Sequence, residues 1–214
     1  MSQDVILLDL GGVLVNVVSV QRLSELTGGR PSDIAALWSR SPSLRRYEGG
    51  QCSRDAFAHD IVQELGLSLS PEAFMAEFDQ FLQGLYPGAQ ALLQELAQTG
   101  RTVACLTDTN PSQWTSLCAR TGLDRYFERC FLSYQLGATK PHPSVYRAVQ
   151  TALGCAPGAI HYFDDNPANV SAGLRAGMDA HEAQGVDGLR RALTSLGLLT
   201  AGQSAADPAG RSGA

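Results

Sequence analysis

Three apolar runs in this chain end in the same way, and that shared ending most constrains the fold. Val5-Ile6-Leu7-Leu8 runs into Asp9-Leu10-Gly11-Gly12, Val103-Ala104-Cys105-Leu106 into Thr107-Asp108-Thr109-Asn110, and Ile160-His161-Tyr162-Phe163 into Asp164-Asp165-Asn166. Short apolar runs bounded by turn-forming residues read as buried strands. Between them lie amphipathic segments, Ala89 to Gln98, Pro111 to Thr121 and Pro143 to Leu153, stopped by Gly100, Gly122 and Gly154. Glycine past the last turn, with proline at the first turn of two of them, marks helices. A weaker strand covers Cys130 to Ser133, and Pro167 to Ala176, stopped by Gly177, reads as another helix. Strand alternating with helix predicts an α/β domain with a parallel sheet and helices on both faces. Ligands of such a sheet bind beyond the carboxyl ends of its strands, where Asp9, Thr107 and Asp164 are expected to converge.

Asp9 is the sharpest point of this pattern. A charge closing a buried strand is costly unless it is paired, solvated or used. Gly11 and Gly12 allow a tight turn beside it and close approach of a ligand. The plainer alternative is an aspartate that only caps a turn.

From about Val17 to Gln83 the texture changes to helical stretches with no convincing strand. This predicts an inserted helical domain over residues 17–84, with the α/β core built from 1–16 and 85–200 and Pro87-Gly88 marking the return. Ser53 to Leu65 opens on a serine cap. Ser70-Pro71-Glu72 starts a helix carrying Phe74, Phe78, Phe81 and Leu82 at three- and four-residue spacing, read as core rather than as a ligand box. Residues 201–214, rich in Ala, Gly and Ser, are expected to be a disordered tail.

Composition removes several functions. With 214 residues and 44% hydrophobic content, the chain can bury a core without covalent staples. Its five cysteines have neither CxxC nor Cys/His spacing, so no disulfide framework or zinc site is expected, and free thiols suit a reducing cytoplasm. Neither a membrane span nor an export signal is visible, so the chain is expected to be cytoplasmic. Net charge is −5 and the 16 Lys and Arg are scattered, which argues against nucleic acid as a partner. A small phosphorylated metabolite, which needs only one or two local cations, remains open. Monomer and homodimer are equally compatible with the sequence.

Asp9, Thr107, Lys140-Pro141 and Asp164-Asp165 together supply what phosphoryl transfer needs. A carboxylate can attack phosphorus, a hydroxyl and an ammonium can hold its equatorial oxygens, and an acidic pair can hold Mg2+, which prefers hard oxygen ligands. In this order and in these strand contexts, the residues resemble the four motifs of the haloacid dehalogenase (HAD) superfamily. The helical insert resembles its C1 cap, and the resemblance covers residues 4 to about 197. Asp9-Leu10-Gly11-Gly12-Val13, Leu132 to Pro141, Phe163-Asp164-Asp165-Asn166 and the phrase Tyr47-Glu48-Gly49-Gly50 look like the group containing bacterial α-glucose-1-phosphatase. The resemblance implies a HAD-like Rossmannoid core and a phosphatase in which Asp9 becomes phosphorylated and water then releases phosphate. It also implies Mg2+ held by the carboxylate of Asp9, the main-chain carbonyl of Gly11, and Asp164, with Asp165 close by. Thr107 and Lys140 would grip the phosphoryl group.

Two positions depart from the superfamily pattern. Gly11 stands where a second aspartate usually protonates the leaving group, a loss typically worth about 10²- to 10⁴-fold. That favours a substrate whose leaving oxygen departs easily, such as a sugar 1-phosphate, and the α-glucose-1-phosphatase-like group commonly has glycine there. Asp108 stands where relatives usually carry asparagine, close enough to count among phosphate-site residues. It is read either as a substitute acid or as a turn residue before Pro111. Asn166 and Asn169 are read as donors behind the metal or as part of a helix start. Arg45, Arg46 and Tyr47 are candidates to meet substrate from the cap, with Arg46 placed at the phosphate. The alternative is a solvated face. His142 and His161 have no second ligand at useful spacing, and Trp38 and Trp114 are read as packing residues. Halide displacement from a 2-haloacid and a degenerate binding or regulatory protein are the competing functions.

Overall fold

A strand buried at every residue, β1 (Val5–Leu8), anchors the fold in the computed structural model, which describes residues 4–200. The chain continues through β2 (Val15–Val17) and five helices, α1 (Ser19–Thr27), α2 (Pro31–Arg40), α3 (Pro42–Glu48), α4 (Arg54–Glu64) and α5 (Pro71–Phe78). It returns through β3 (Leu82–Leu85) and α6 (Ala89–Ala97), β4 (Thr102–Thr107), α7 (Pro111–Thr121), β5 (Arg129–Leu132) and the short α8 (Ser133–Leu136). Helix α9 (Pro143–Leu153), β6 (Ile160–Asp164), α10 (Pro167–Arg175), β7 (Asp179–Glu182) and α11 (Gly185–Ser195) complete it. The expected tail, 201–214, lies outside the described residues.

Five strands form one parallel sheet in the order β5-β4-β1-β6-β7. Alternation along β1 sends Ile6 and Leu8 to one face, against Leu92 and Leu96 of α6 and Leu189 and Leu193 of α11. Val5 and Leu7 face the other side, against Val145, Tyr146 and Val149 of α9 and Ala172 of α10. Both faces are thus covered by helices, and all the inward leucines named here are 0% exposed. Each such burial contributes about 1.5–3 kcal/mol. Leu8 is level with Cys105 on β4 and Phe163 on β6, and the Asp9 amide donates to the Phe163 carbonyl at 2.8 Å. This register brings Asp9, Thr107 and Asp164 to the same edge of the sheet.

The five helices between β2 and β3 share a separate core containing Phe57, Phe74, Phe78 and Phe81. The aromatic spacing is core, as the sequence predicts, but helix α5 stops at Phe78. Asp79 caps it, Phe81 lies beyond the helix, and Leu82 opens β3. Strand β3 itself is absent from the sequence expectation. It pairs antiparallel with β2, bringing Gly84 opposite Asn16, and neither four residues with a glycine nor a distant partner produces a readable local period. No helix among the described residues is long and apolar enough to cross a membrane. All five cysteines are free.

Candidate active site

The strand ends hold a buried ion cluster. Lys140, carried by the loop before α9, places its ammonium 2.8 Å from Asp9 Oδ1 and 2.7 Å from Asp164 Oδ2. It also donates to the Leu106 carbonyl at 3.2 Å. Asp164 is wholly buried, and each of its oxygens is satisfied. Oδ1 accepts from the Asn166 amide at 2.8 Å and from Asn169 Nδ2 at 3.1 Å, while Oδ2 accepts from Lys140, the Tyr162 hydroxyl and Asn169. Tyr146 donates to the Asn169 carbonyl at 3.0 Å, tying α9 to the start of α10. Asn166 has both readings at once, since its side chain accepts from the Ala168 amide to cap α10 while its main chain serves Asp164.

The loop after β4 is fixed by two residues. Ser133 Oγ accepts from the Thr109 amide at 2.9 Å and donates back to the Thr109 carbonyl at 3.1 Å. Asp108 Oδ1 accepts from the Lys140 main-chain amide at 3.0 Å, joining the loop that carries the lysine to the loop after β4. Asp108 is therefore a lock between two loops rather than an ordinary turn residue.

A cavity of about 490 Å³ opens above this cluster and is lined by Asp9, Gly11, Thr107, Asp108, Lys140 and Asp165. Asp164 lies beneath its floor. Gly12 adopts a φ of 71°, and a Cβ there would collide with the Asp165 carboxylate, so glycine is what lets that carboxylate close over the loop. Gly11 has no such restriction. A Cβ on it would meet only Val17 Cγ2 at 3.4 Å, an ordinary contact.

Arg46 is not at the phosphate position. It does not line the cavity, and its guanidinium pairs with Asp60 of α4 on an exposed surface. Arg45 donates to the Ser39 carbonyl, and Tyr47 is buried with its ring stacked on Phe57 at 4.4 Å. Trp38 and Trp114, read as packing residues, both line the cavity as well, and so do Phe78 and Phe81. One acid that sequence reasoning passed over, Glu48, also lines it, and the only signal for it was its place in the phrase Tyr47-Glu48-Gly49-Gly50.

The protonation pattern follows from burial and pairing. Burial works to raise Asp164, but Lys140, Tyr162 and the Asn166 amide outweigh it and hold the carboxyl below its ordinary range. Burial works to lower the Lys140 ammonium, but Asp9, Asp164 and Asp108 overcome it and hold the lysine well above its usual value. Burial pushes Asp9 well up. Lys140 opposes that shift, and Asp164 and Asp165 reinforce it. Asp165 is raised by burial and then by Asp164. Burial raises Asp108 to about 6 against the pull of Lys140.

These residues fit a divalent cation. Asp9, Asp164 and Asp165 each offer a carboxylate oxygen within 4.8 Å of the others. Three carboxylates face one ammonium, which leaves negative charge for a hard cation to balance, and oxygen donors suit Mg2+. A cation at this point would also oppose the upward shift of Asp9 and favour the ionised form that a nucleophile requires.

A second group of metal-type side chains lies on β6 and β7. Asp179 Oδ2 meets His161 Nδ1 at 2.8 Å and Asp179 Oδ1 lies 2.9 Å from His181 Nε2. His161 thus has neighbours its linear spacing conceals, because the register sets it opposite Asp179.

Comparison with known proteins places this geometry. The family model described as haloacid dehalogenase-like hydrolase matches residues 3–177. The chain is 33% identical over 144 residues to phosphatase MT3486 of Mycobacterium tuberculosis, covering 65% of this chain and 66% of that protein. It is 29% identical over 178 residues to the (S)-2-haloacid dehalogenase of Xanthobacter autotrophicus, covering 77% and 68%. The chain spans about two thirds of the length of these two relatives. In fold it is similar to a HAD family enzyme of Bacteroides thetaiotaomicron solved in complex with magnesium and inorganic phosphate. The TM-score is 0.69 at 23% identity, over 85% of this chain and 94% of that one.

Proposed function

The chain belongs to the haloacid dehalogenase-like hydrolases, and from that premise we propose that it is a Mg2+-dependent phosphatase of a small phosphorylated metabolite, with Asp9 as nucleophile. The observation that carries this reading is the Asp9–Lys140–Asp164 cluster set under a cavity that Thr107 and Asp165 also line. Asp9 attacks phosphorus, the bond to the leaving oxygen breaks, and the phosphoryl group rests on the Asp9 carboxylate. Water then attacks the same phosphorus and frees Asp9. The Thr107 hydroxyl and the Lys140 ammonium hold the equatorial oxygens, and Lys140 keeps Asp9 aligned between turnovers. Asp9, Asp164, Asp165 and the Gly11 carbonyl would hold Mg2+, which would neutralise the phosphoryl charge when bound.

Cavity chemistry sets the substrate class. A volume of about 490 Å³ suits a small metabolite. Trp38, Phe78, Phe81 and Trp114 provide an apolar wall, and Gln184 provides a polar group for an organic part bearing hydroxyls. Gly11 offers no proton to the leaving oxygen, which favours a sugar 1-phosphate, in keeping with the likeness to the α-glucose-1-phosphatase group. Halide displacement fits less well. A 2-haloacid brings a carboxylate, and Lys140, already between Asp9 and Asp164, is the one cationic side chain among the cavity-lining residues. Asp9, Asp108 and Asp165 line the same space and would repel it.

The test is phosphate release from a broad panel of phosphorylated metabolites, with Mg2+ or EDTA, comparing the chain with Asp9→Asn. The reading expects release that needs both Mg2+ and Asp9. Release indifferent to both refutes it.

A further inference from the structure

Departure of an ordinary alkoxide from phosphorus needs a proton, and the side chains just assigned do not supply one. Asp9 is assigned as the nucleophile, the Lys140 ammonium is held by two carboxylates, Asp165 would hold the cation, and Asp108 accepts from the Lys140 amide. Glu48 remains. It is the last residue of α3 and lines the cavity, yet its carboxyl has no hydrogen bond or ion pair among the described residues. A half-buried acid with no partner is costly to keep charged.

Its neighbours in sequence are fastened to the core. The Tyr47 hydroxyl lies 3.5 Å from Asn110 Oδ1. Gly50, at a φ of 67°, sits so close on the Tyr134 carbonyl that any Cβ would collide with it. Gln51 Nε2 donates to the Gly137 carbonyl at 3.1 Å. Attachments on both sides of Glu48 therefore run to the loop following β4, which carries Asp108, and to α8 and its C-terminal end, which lead to Lys140. The end of α3 that carries Glu48 is thus anchored to the α/β core and not to the five helices alone.

Resting on the phosphatase reading above, we propose that Glu48 is the general acid of the reaction, giving its proton to the leaving oxygen from the wall that the helices contribute. As the phosphorus–oxygen bond breaks, its electron pair stays on the bridging oxygen, which takes the Glu48 proton and leaves as an alcohol. Glu48 becomes a carboxylate. In the second half it takes a proton from the attacking water while the new phosphorus–oxygen bond forms and the Asp9–phosphorus bond breaks, its electrons returning to Asp9. The sum is ester plus water to alcohol plus phosphate, with Glu48 restored. The substrate class then extends from sugar 1-phosphates to phosphate esters of ordinary alcohols, despite Gly11.

Glu48 is set up for this role. Burial, reinforced by Asp108 and opposed by Lys140, raises its carboxyl to about 8. Among the charged groups of α4, Asp60 faces Arg46, Arg54 faces Asp79 and Glu64 accepts from the Ser43 amide. Asp108 and Glu48 are thus set on opposite sides of neutrality, at about 6 and about 8, the first bonded to the Lys140 amide and the second without a bonded partner among the described residues.

Glu48→Gln keeps the shape and removes the proton. The expected result is a fall of about 10²- to 10⁴-fold in kcat/KM for an alkyl phosphate such as glycerol phosphate, and less than about tenfold for p-nitrophenyl phosphate, whose leaving group needs no acid. The alkaline limb of the alkyl-ester pH profile, near 8, should vanish with it. Equal losses on both esters, or no loss on the alkyl ester, overturn the proposal. An NMR titration of the labelled Glu48 carboxyl should have its midpoint near 8, and a midpoint in the ordinary glutamate range overturns the proposal independently of turnover. If the unaltered chain releases no Asp9-dependent phosphate from any ester of the broad panel, the phosphatase reading fails and this role goes with it, whereas Asp9-dependent release from the panel with none from alkyl phosphates overturns the role of Glu48 alone. Asp9-dependent release that Glu48→Gln leaves intact sinks the role of Glu48 alone.

Discussion

Lys140→Met keeps the aliphatic stem and deletes the one ammonium in the ion cluster, so it measures what that charge does for the fold. The lysine side chain is 2% exposed and sits 2.8 Å from Asp9 and 2.7 Å from Asp164, which is itself 0% exposed. Removing one partner of a buried pair strands the others and typically costs about 3–5 kcal/mol. In a chain of this size each kcal/mol shifts the melting temperature by about 2–4 °C, so the expected fall is about 6–20 °C at neutral pH. The pH dependence has a definite sign. Asp164 is held below its unfolded value by Lys140, so the stability it contributes is present above that unfolded value and is lost as pH falls through the folded one. In the variant the stranded carboxyls instead take up protons as the solution is acidified. The deficit is therefore largest near neutrality and narrows as pH approaches about 4. Urea titrations followed by circular dichroism at several pH values give both quantities. A loss under about 1 kcal/mol, or a deficit of constant size from neutral to acid, would refute the claim that the ammonium compensates buried carboxylates.

Asp108→Asn retains an oxygen for the Lys140 amide, so steady-state phosphate release should stay within about tenfold of the parent across the pH range. A fall of about 10²-fold or more would make Asp108 the acid after all. Arg46→Ala breaks an exposed pair with Asp60 and should cost under about 1 kcal/mol with unchanged KM, whereas a large rise in KM would return Arg46 to the phosphate. Glu48 has a folded value raised from 4.5 to about 8, so the parent loses stability as pH rises through that window and Glu48→Gln does not. The variant should match the parent near the lower end and exceed it by about 2–5 kcal/mol above the upper end in denaturant titrations, and a pH-independent difference would contradict this. Gly12→Ala must place a Cβ against the Asp165 carboxylate at a positive φ and should cost at least about 1–3 kcal/mol, read as a lowered denaturation midpoint.

The parts of this architecture that sequence reveals are those written in local order. Helices α7 and α9 run from Pro111 to Thr121 and from Pro143 to Leu153, as the proline and glycine punctuation predicts. The apolar runs locate β1, β4 and β6 to within a residue or so. Because each candidate residue follows a strand, parallel pairing alone brings Asp9, Thr107, Asp108 and Asp165 to one cavity. What depends on distant partners is not legible. Strand β3 exists through its pairing with β2, and α5 ends at Phe78 although Phe81 and Leu82 continue its spacing. Arg46 and Glu48 lie two residues apart on α3, yet only one lines the cavity, because the packing of α3 against α4 and against the loops at Asn110 and Tyr134 sets which side faces inward. The His161–Asp179–His181 group is likewise produced by cross-strand register.

Asp9 as the residue that carries the phosphoryl group is the centre of this account, and acid quench during turnover tests it most directly. Borohydride reduction converts an aspartyl phosphate to homoserine, which peptide mass spectrometry locates. Homoserine is expected at position 9 only when substrate and Mg2+ are both present, and none in Asp9→Asn. Steady phosphate release with no label at Asp9, or with Asp9→Asn still turning over, would contradict it.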